Sequence, residues 1–331
     1  VERIRPAFEE AVRIRVENTE RPVGFLLSGG LDSSLVVATA QKFLPEGQKL
    51  KTFSIATSPD SPDAKAARKV AEYLDTDHTE VLFTIPEGLS VIEDVIRSIE
   101  SYDTTTVRAS VPMWILARWI SKNTDIKVIL SGEGSDELFG GYLYFHGAPS
   151  VTDFSLECGR RLKLIHQFDG LRADRCMAAH GLELRVPFLD KHFVEVGMTI
   201  DQKLKVTNIE KRVLREAFDD GSTLPKEILW RQKNGMSDAV GYDWVDAVRE
   251  RCAHAGFLNT VLQRLFKVHE DSDNVIHGYL NKPTTAEELY YRIVFAEIFG
   301  ERNAHVISEF WRPKWTNVTD PSARLLKVFQ E

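Results

Sequence analysis

Gly24-Phe25-Leu26-Leu27-Ser28-Gly29-Gly30-Leu31-Asp32-Ser33-Ser34, running on into Leu35-Val36-Val37-Ala38, is the stretch on which the reading of this chain turns. Val23 to Leu27 is a short apolar run with the length of a buried strand, and Leu31 to Lys42 has helical spacing. Between them lies a tight turn of small residues. Gly29 and Gly30 let the backbone come close to a ligand, and Ser28, Ser33 and Ser34 add hydroxyls. The following helix contributes unpaired N–H groups and a positive dipole end, so the turn is a cradle for an anion, expected to be phosphate. It is not a Walker A loop: no Lys follows the glycines, and an acid stands in the loop instead. Asp32 beside a phosphate implies a divalent cation between the two negative groups.

Length and composition set the frame. The 331 residues are 43% hydrophobic and 27% charged, values of an ordinary globular protein able to bury a sizeable core. No apolar run reaches the length of a membrane span, and the N-terminus has no signal-peptide core. A net charge of −7 argues against a nucleic-acid face. Cys158, Cys176 and Cys252 are far apart, without C-x-x-C spacing, and read as free thiols of a reducing cytoplasm.

Residues 2–18 form an amphipathic charged helix. Strands follow at 51–56, 78–83 and 127–130, with helices at 61–74, 87–102 and 110–123 between them. Strands alternating with helices predict an α/β fold, a parallel sheet with helices on both faces and ligands at the strands' carboxyl ends. From about residue 150 the pattern turns helical without clear strands. That half is expected to close over the site. The organisation expected is one domain over 1–331: a junction helix (1–20), an α/β core (21–149) and a helical part (150–331).

A second loop follows the fourth strand: Ser131-Gly132-Glu133-Gly134-Ser135-Asp136-Glu137-Leu138-Phe139-Gly140-Gly141-Tyr142. In a doubly wound sheet it lies near the first, so Asp32 and Asp136 could hold Mg²⁺ between them.

Ser28-Gly29-Gly30-Leu31-Asp32-Ser33 resembles the pyrophosphate loop (PP-loop) of the ATP pyrophosphatases, enzymes that adenylate a carboxyl or carbonyl oxygen. On that motif alone several ligases stay open. The Ser131–Glu137 loop narrows the resemblance to the asparagine synthetase family, since the similar loop of β-lactam synthetases carries Tyr where this chain has Glu133. Further similar segments are Asp103–Ser110, Phe168–Arg172, Glu183–Asp190, Trp230–Lys233, and Trp311–Trp315 through Ser322-Ala323-Arg324, the last as a docking tail.

The resemblance implies a C–N-forming ligase that converts L-aspartate, ATP and ammonia into L-asparagine, AMP and pyrophosphate through β-aspartyl-AMP. Leu27, Ser28, Gly29, Gly30, Asp32, Ser33, Ser34, Ile55, Thr105, Ser131 and Gly132 would meet ATP. Asp32 and Asp136 would bind Mg²⁺, and Arg108 would meet phosphate oxygens as a fixed fork of donors. Glu137, Asp169 and Arg172 would receive aspartate. Lys233 would neutralise the departing pyrophosphate, and Glu133 would hold ammonium or accept its proton. His78 and His146 are expected to pack or hydrogen-bond. A different PP-loop ligase, above all a cyclising one, and a silent nucleotide-binding module are the alternatives; intact Asp32, Asp136, Arg108 and Lys233 argue against the second.

The family also carries an N-terminal glutaminase domain opening on a nucleophilic Cys, which nothing here replaces; such a domain would be the partner supplying ammonia. A homodimer is left open. Asn234-Gly235-Met236 departs from the family after Lys233, and residues 252–282 follow it poorly and receive no role.

Overall fold

β1 (Val23–Leu26) is the middle strand of a five-stranded sheet with the order β3–β2–β1–β4–β5. Its companions are β2 (Lys51–Ala56), β3 (Asp77–Leu82), β4 (Val128–Leu130) and β5 (Glu183–Arg185). The computed structural model describes residues 2–45, 47–232, 242–270 and 281–317. Every strand pairing is parallel, with Gly24 opposite Lys51 on one side of β1 and opposite Ile129 on the other. Among the described residues no helix is long and apolar enough to cross a membrane.

The period of two along each strand divides the core into two faces. Phe25, Leu27, Val128 and Leu130 turn toward α1 (Ile4–Glu17), α2 (Leu31–Ala40) and α3 (Pro62–Tyr73). Phe53, Ile55 and Ile129 turn the opposite way. They meet α5 (Ile92–Ile99), which follows α4 (Ile85–Ser90), then α6 (Thr104–Asn123) and the late helix Ala286–Phe299. Helices on both faces explain the near-continuous apolar strands.

Three boundaries differ from the sequence expectation. The helix expected over 87–102 is two helices, α4 and α5. The one expected from Ser110 begins at Thr104, because Asp103 caps it: its Oδ2 accepts from the Thr106 N–H and hydroxyl, both at 2.8 Å. The second half is not free of strands. β5 pairs with β4, Leu130 opposite Arg185, and completes the sheet from beyond residue 150. It is a three-residue edge strand with one apolar residue, too short to show alternation.

From β1 the chain runs outward to β2 and β3, then returns through α4–α6 to β4 on β1's other side. The loops after β1 and β4 therefore leave adjacent strand ends in opposite directions and open a crevice between them. α7 (Ser135–Phe139) brings Asp136 to it, and from the second half α9 (Asp169–Ala178), which follows α8 (Val151–Leu164), brings Asp169 and Arg172.

Two long-range contacts tie late sequence to this core. Arg108, in the first turns of α6, is buried and forks onto Glu287 with Nε–Oε1 2.8 Å and Nη2–Oε2 2.6 Å. The Tyr291 hydroxyl donates to the same carboxylate, and Trp244 Nε1 donates to the Arg108 carbonyl at 3.0 Å. The Trp311–Trp315 segment docks as well. The Trp311 N–H donates to Asp103 Oδ1 at 2.7 Å, Arg161 stacks over the Trp311 ring at 4.3 Å, and Lys314 pairs with buried Glu157 at 2.8 Å. This part of the expected tail is docked; Ser322-Ala323-Arg324 lies outside the described residues.

Two stability predictions follow from these contacts. Gly29 sits at φ +71°, and a Cβ there would stand 2.4 Å from the Ala66 carbonyl carbon. Gly29→Ala should therefore cost roughly 2 kcal/mol or more in urea unfolding; an unchanged midpoint would contradict the close approach. Glu287→Ala removes the carboxylate from a buried guanidinium and should cost about 3 kcal/mol. The double change Arg108→Met with Glu287→Met should recover most of it, whereas additive losses would show that the pair is not coupled.

Candidate active site

The first loop arranges itself. The Ser28 N–H donates to Ser33 Oγ at 3.2 Å, the two serine hydroxyls meet at 3.1 Å, and the Gly30 N–H donates to Ser28 Oγ at 3.3 Å. These bonds hold the turn at the N-terminus of α2, whose first turn carries Asp32. Arg231 clamps the loop from outside, donating to the Gly29 carbonyl at 3.2 Å and to Asp63 at 2.7 Å.

The second loop touches the first. A Cβ on Gly132 would lie 2.8 Å from both the Asp32 carbonyl carbon and the Ser33 nitrogen, so only glycine permits this approach. Gly134, at φ +95°, then turns the chain into α7 and presents Asp136. The two aspartates converge on one point, where the ammonium of Lys211 stands 2.5 Å from Asp32 Oδ2 and 2.6 Å from Asp136 Oδ1.

A second polar cluster lies beside it. Arg172 Nη2 donates to Asp169 at 2.7 Å and to Glu133 at 3.0 Å. Burial works against the charge on Arg172, but Glu133 and Asp169 outweigh it and hold its pKa above the ordinary arginine value. The Tyr142 ring leans on Trp311 at 5.4 Å, and its hydroxyl lies 2.5 Å from Glu137 and 3.0 Å from Asp169. Burial raises the Glu137 pKa well above its usual range, and neighbouring Asp169 and Asp136 add to it.

Both clusters open on one cavity of about 170 Å³ between the β1 and β4 ends. Of the residues proposed from sequence, Ser28, Gly30, Asp32, Ser33, Ser131, Gly132, Glu133, Asp136, Asp169 and Arg172 line it. Leu27 does not: strand alternation turns it into the α1–α2 face, and Leu26 takes the wall instead. Ile55 is core. Gly29, Ser34 and Thr105 are not among the lining residues, the last two having buried hydroxyls without a hydrogen-bond partner. Arg108 is committed to Glu287, off the lining. Glu137 is not among the lining residues; it stands behind Tyr142, whose hydroxyl donates to it at 2.5 Å. Lys233 lies outside the described residues, directly after Arg231 and Gln232 of the wall.

Sequence reasoning missed Lys211, Glu210, Arg215 and Arg231. Glu210-Lys211-Arg212 has the look of a solvated charge run, yet Lys211 is 1% exposed, and Glu210 and Arg215 form a buried pair at 2.5 Å. Arg231 stood inside a quoted motif without a role. His78 bonds Thr52 at 2.9 Å and Ser54 at 3.1 Å, while burial and Arg68 lower its pKa to about 4, so it is a packing residue as expected.

The lining carries six carboxylates (Asp32, Asp63, Glu133, Asp136, Asp169, Glu210) against four cations (Arg172, Lys211, Arg215, Arg231). Among the described residues no group of three His, Cys, Asp or Glu side chains forms a ready metal cage. Two carboxylates with the remaining positions left to phosphate and water are what Mg²⁺ characteristically uses. Asp32 fits that demand, because its Oδ1 is buried without a hydrogen-bond partner.

The chain matches the asparagine synthase family over residues 3–157 and 151–319. It is similar to the glutamine-hydrolysing asparagine synthetases of Cricetulus griseus (46% identical), Homo sapiens (47%) and Asparagus officinalis (45%). The alignments cover 99%, 99% and 97% of this chain and 57% of each relative, so the chain spans rather more than half the length of these relatives. With its five-stranded parallel sheet and the Ser28–Ser33 loop, the chain belongs to the asparagine synthase family, within the PP-loop superfamily.

Proposed function

We propose that this site adenylates the β-carboxylate of L-aspartate with ATP and passes the acyl group to ammonia, giving L-asparagine, AMP and pyrophosphate. The observation that supports this most is the meeting of the two loops at the β1 and β4 ends, with Asp32 and Asp136 directed at one point. ATP would lie along the Ser28–Ser34 loop, its phosphates on the N–H groups and hydroxyls of that turn. Asp32 and Asp136 would hold Mg²⁺, which when bound offsets the negative charge of the phosphates.

Aspartate would enter on the Glu133–Asp169–Arg172 side. There Arg172 suits its carboxylate as a planar fork, and Asp169 suits its ammonium group. A β-carboxylate oxygen attacks the α-phosphorus, and the bond to the bridging oxygen breaks, releasing pyrophosphate. Lys233 would meet that departing charge. Ammonia attacks the acyl carbon, AMP leaves with the oxygen it gained, and Glu133 accepts the surplus proton. Arg108, fixed by Glu287, would act on the phosphates only if that ion pair opens.

The relatives are named glutamine-hydrolysing. We assign the hydrolysis to a glutaminase domain of such longer chains, N-terminal to α1. In this chain Cys158, Cys176 and Cys252 are buried free thiols, and burial raises each pKa to about 12, which is unfit for nucleophilic attack.

The chain should release pyrophosphate only when ATP, Mg²⁺ and L-aspartate are all present, and should form asparagine and AMP in equal amounts once ammonium is added. Pyrophosphate release with another carboxylic acid but not aspartate would overturn the substrate assignment. Asp136→Asn should lower that release roughly 100-fold or more with the circular dichroism unchanged. Wild-type release by this variant would overturn the metal assignment.

A further inference from the structure

Lys211 is a cationic group in direct contact with both aspartates. Its ammonium lies 2.5 Å from Asp32 Oδ2 and 2.6 Å from Asp136 Oδ1, and the side chain is 1% exposed. The placement is built into the backbone on both sides. Lys211 occupies the left-handed region at φ +58°, which side-chain-bearing residues adopt at a cost. Opposite it, a Cβ on Gly141 would come to 2.0 Å from Lys211 Cε and 2.1 Å from Asp136 Oδ1. The buried Arg215–Glu210 pair and the Arg215 bond to the Leu229 carbonyl then fix the turn that carries Lys211.

An ammonium and a divalent cation drawn to the same carboxylates repel each other in a buried site, so Lys211 at this point opposes entry of the metal. With Lys211 between them, Asp32 and Asp136 remain one positive charge short of neutral. A divalent cation in its place would balance both carboxylates and set the lysine's charge free. A flexible stem ending in a compact ammonium is suited to following a phosphate.

We propose that Lys211 is a resident stand-in for the metal. It holds Asp32 and Asp136 together in the nucleotide-free protein and releases them when nucleotide phosphates arrive to receive its ammonium. The divalent cation therefore enters with the nucleotide and not before it. This rests on the assignment of Asp32 and Asp136 as metal ligands made above.

The test is Mn²⁺ binding, followed by the loss of free-Mn²⁺ electron paramagnetic resonance signal, with and without a non-hydrolysable ATP analogue. The wild-type chain should take up Mn²⁺ at this site only with the analogue present. Lys211→Met, which keeps the length of the side chain and removes its charge, should bind Mn²⁺ without nucleotide at least about tenfold more tightly than nucleotide-free wild type. Lys211→Gln serves if the methionine variant does not fold, and the wild-type arm stands without either. Tight Mn²⁺ binding to nucleotide-free wild type overturns the stand-in role and leaves the metal site intact. Lysine variants that still need nucleotide overturn it likewise. If no form binds Mn²⁺ even with the analogue, the metal assignment itself has failed and the stand-in role falls with it.

Discussion

Two ionised carboxylates brought together inside a protein repel each other, and positive charge between them offsets that repulsion. In this chain that constraint is met where Asp32 and Asp136 close on the ammonium of Lys211. Much of the surrounding structure serves the contact. The parallel sheet places the two loops at adjacent strand ends, and Gly132 lets their backbones touch. Gly141 leaves room for the lysine stem, and Arg231 ties the first loop down. On the proposed reading, nucleotide phosphates would meet a loop already arranged for them, and the ammonium of Lys211 is the group that has to move.

The second half of the chain works as the counterpart of the sheet. α9 carries Asp169 and Arg172 to the far side of the cavity, and the docked Trp311 segment supports the ring of Tyr142, whose hydroxyl bonds Asp169. Arg161, stacked on Trp311, and Glu157, bound to Tyr144 and Lys314, keep that segment in place. The Asp169–Arg172 side of the cavity thus depends on residues close to the end of the described chain.

Most of the sheet could be read from sequence because β1, β2 and β4 are apolar runs punctuated by glycine and serine. β5 could not, because Glu183-Leu184-Arg185 owes its strand form to pairing with β4 and not to its own pattern. The loops were legible through their small residues and acids. The side chain of Leu27 faces the core and that of Leu26 the cavity, a single step of strand alternation that the apolar run does not reveal, and the sequence did not show that Tyr142 stands between Glu137 and the cavity. Lys211 was invisible for a different reason: a lone lysine in Glu210-Lys211-Arg212 has no local feature to separate it from a solvated one. Its role comes from a contact with Asp32 across 179 positions of sequence.

The proposed chemistry turns on which phosphorus the substrate carboxylate attacks. Aspartate labelled with ¹⁸O in its β-carboxylate, turned over with ATP, Mg²⁺ and ammonium, decides this by mass spectrometry of the products. Attack at the α-phosphorus transfers one labelled oxygen into AMP and none into pyrophosphate, and that is the result expected here. Label appearing in pyrophosphate or inorganic phosphate, or AMP formed without label, would contradict adenylation at the junction of the two loops.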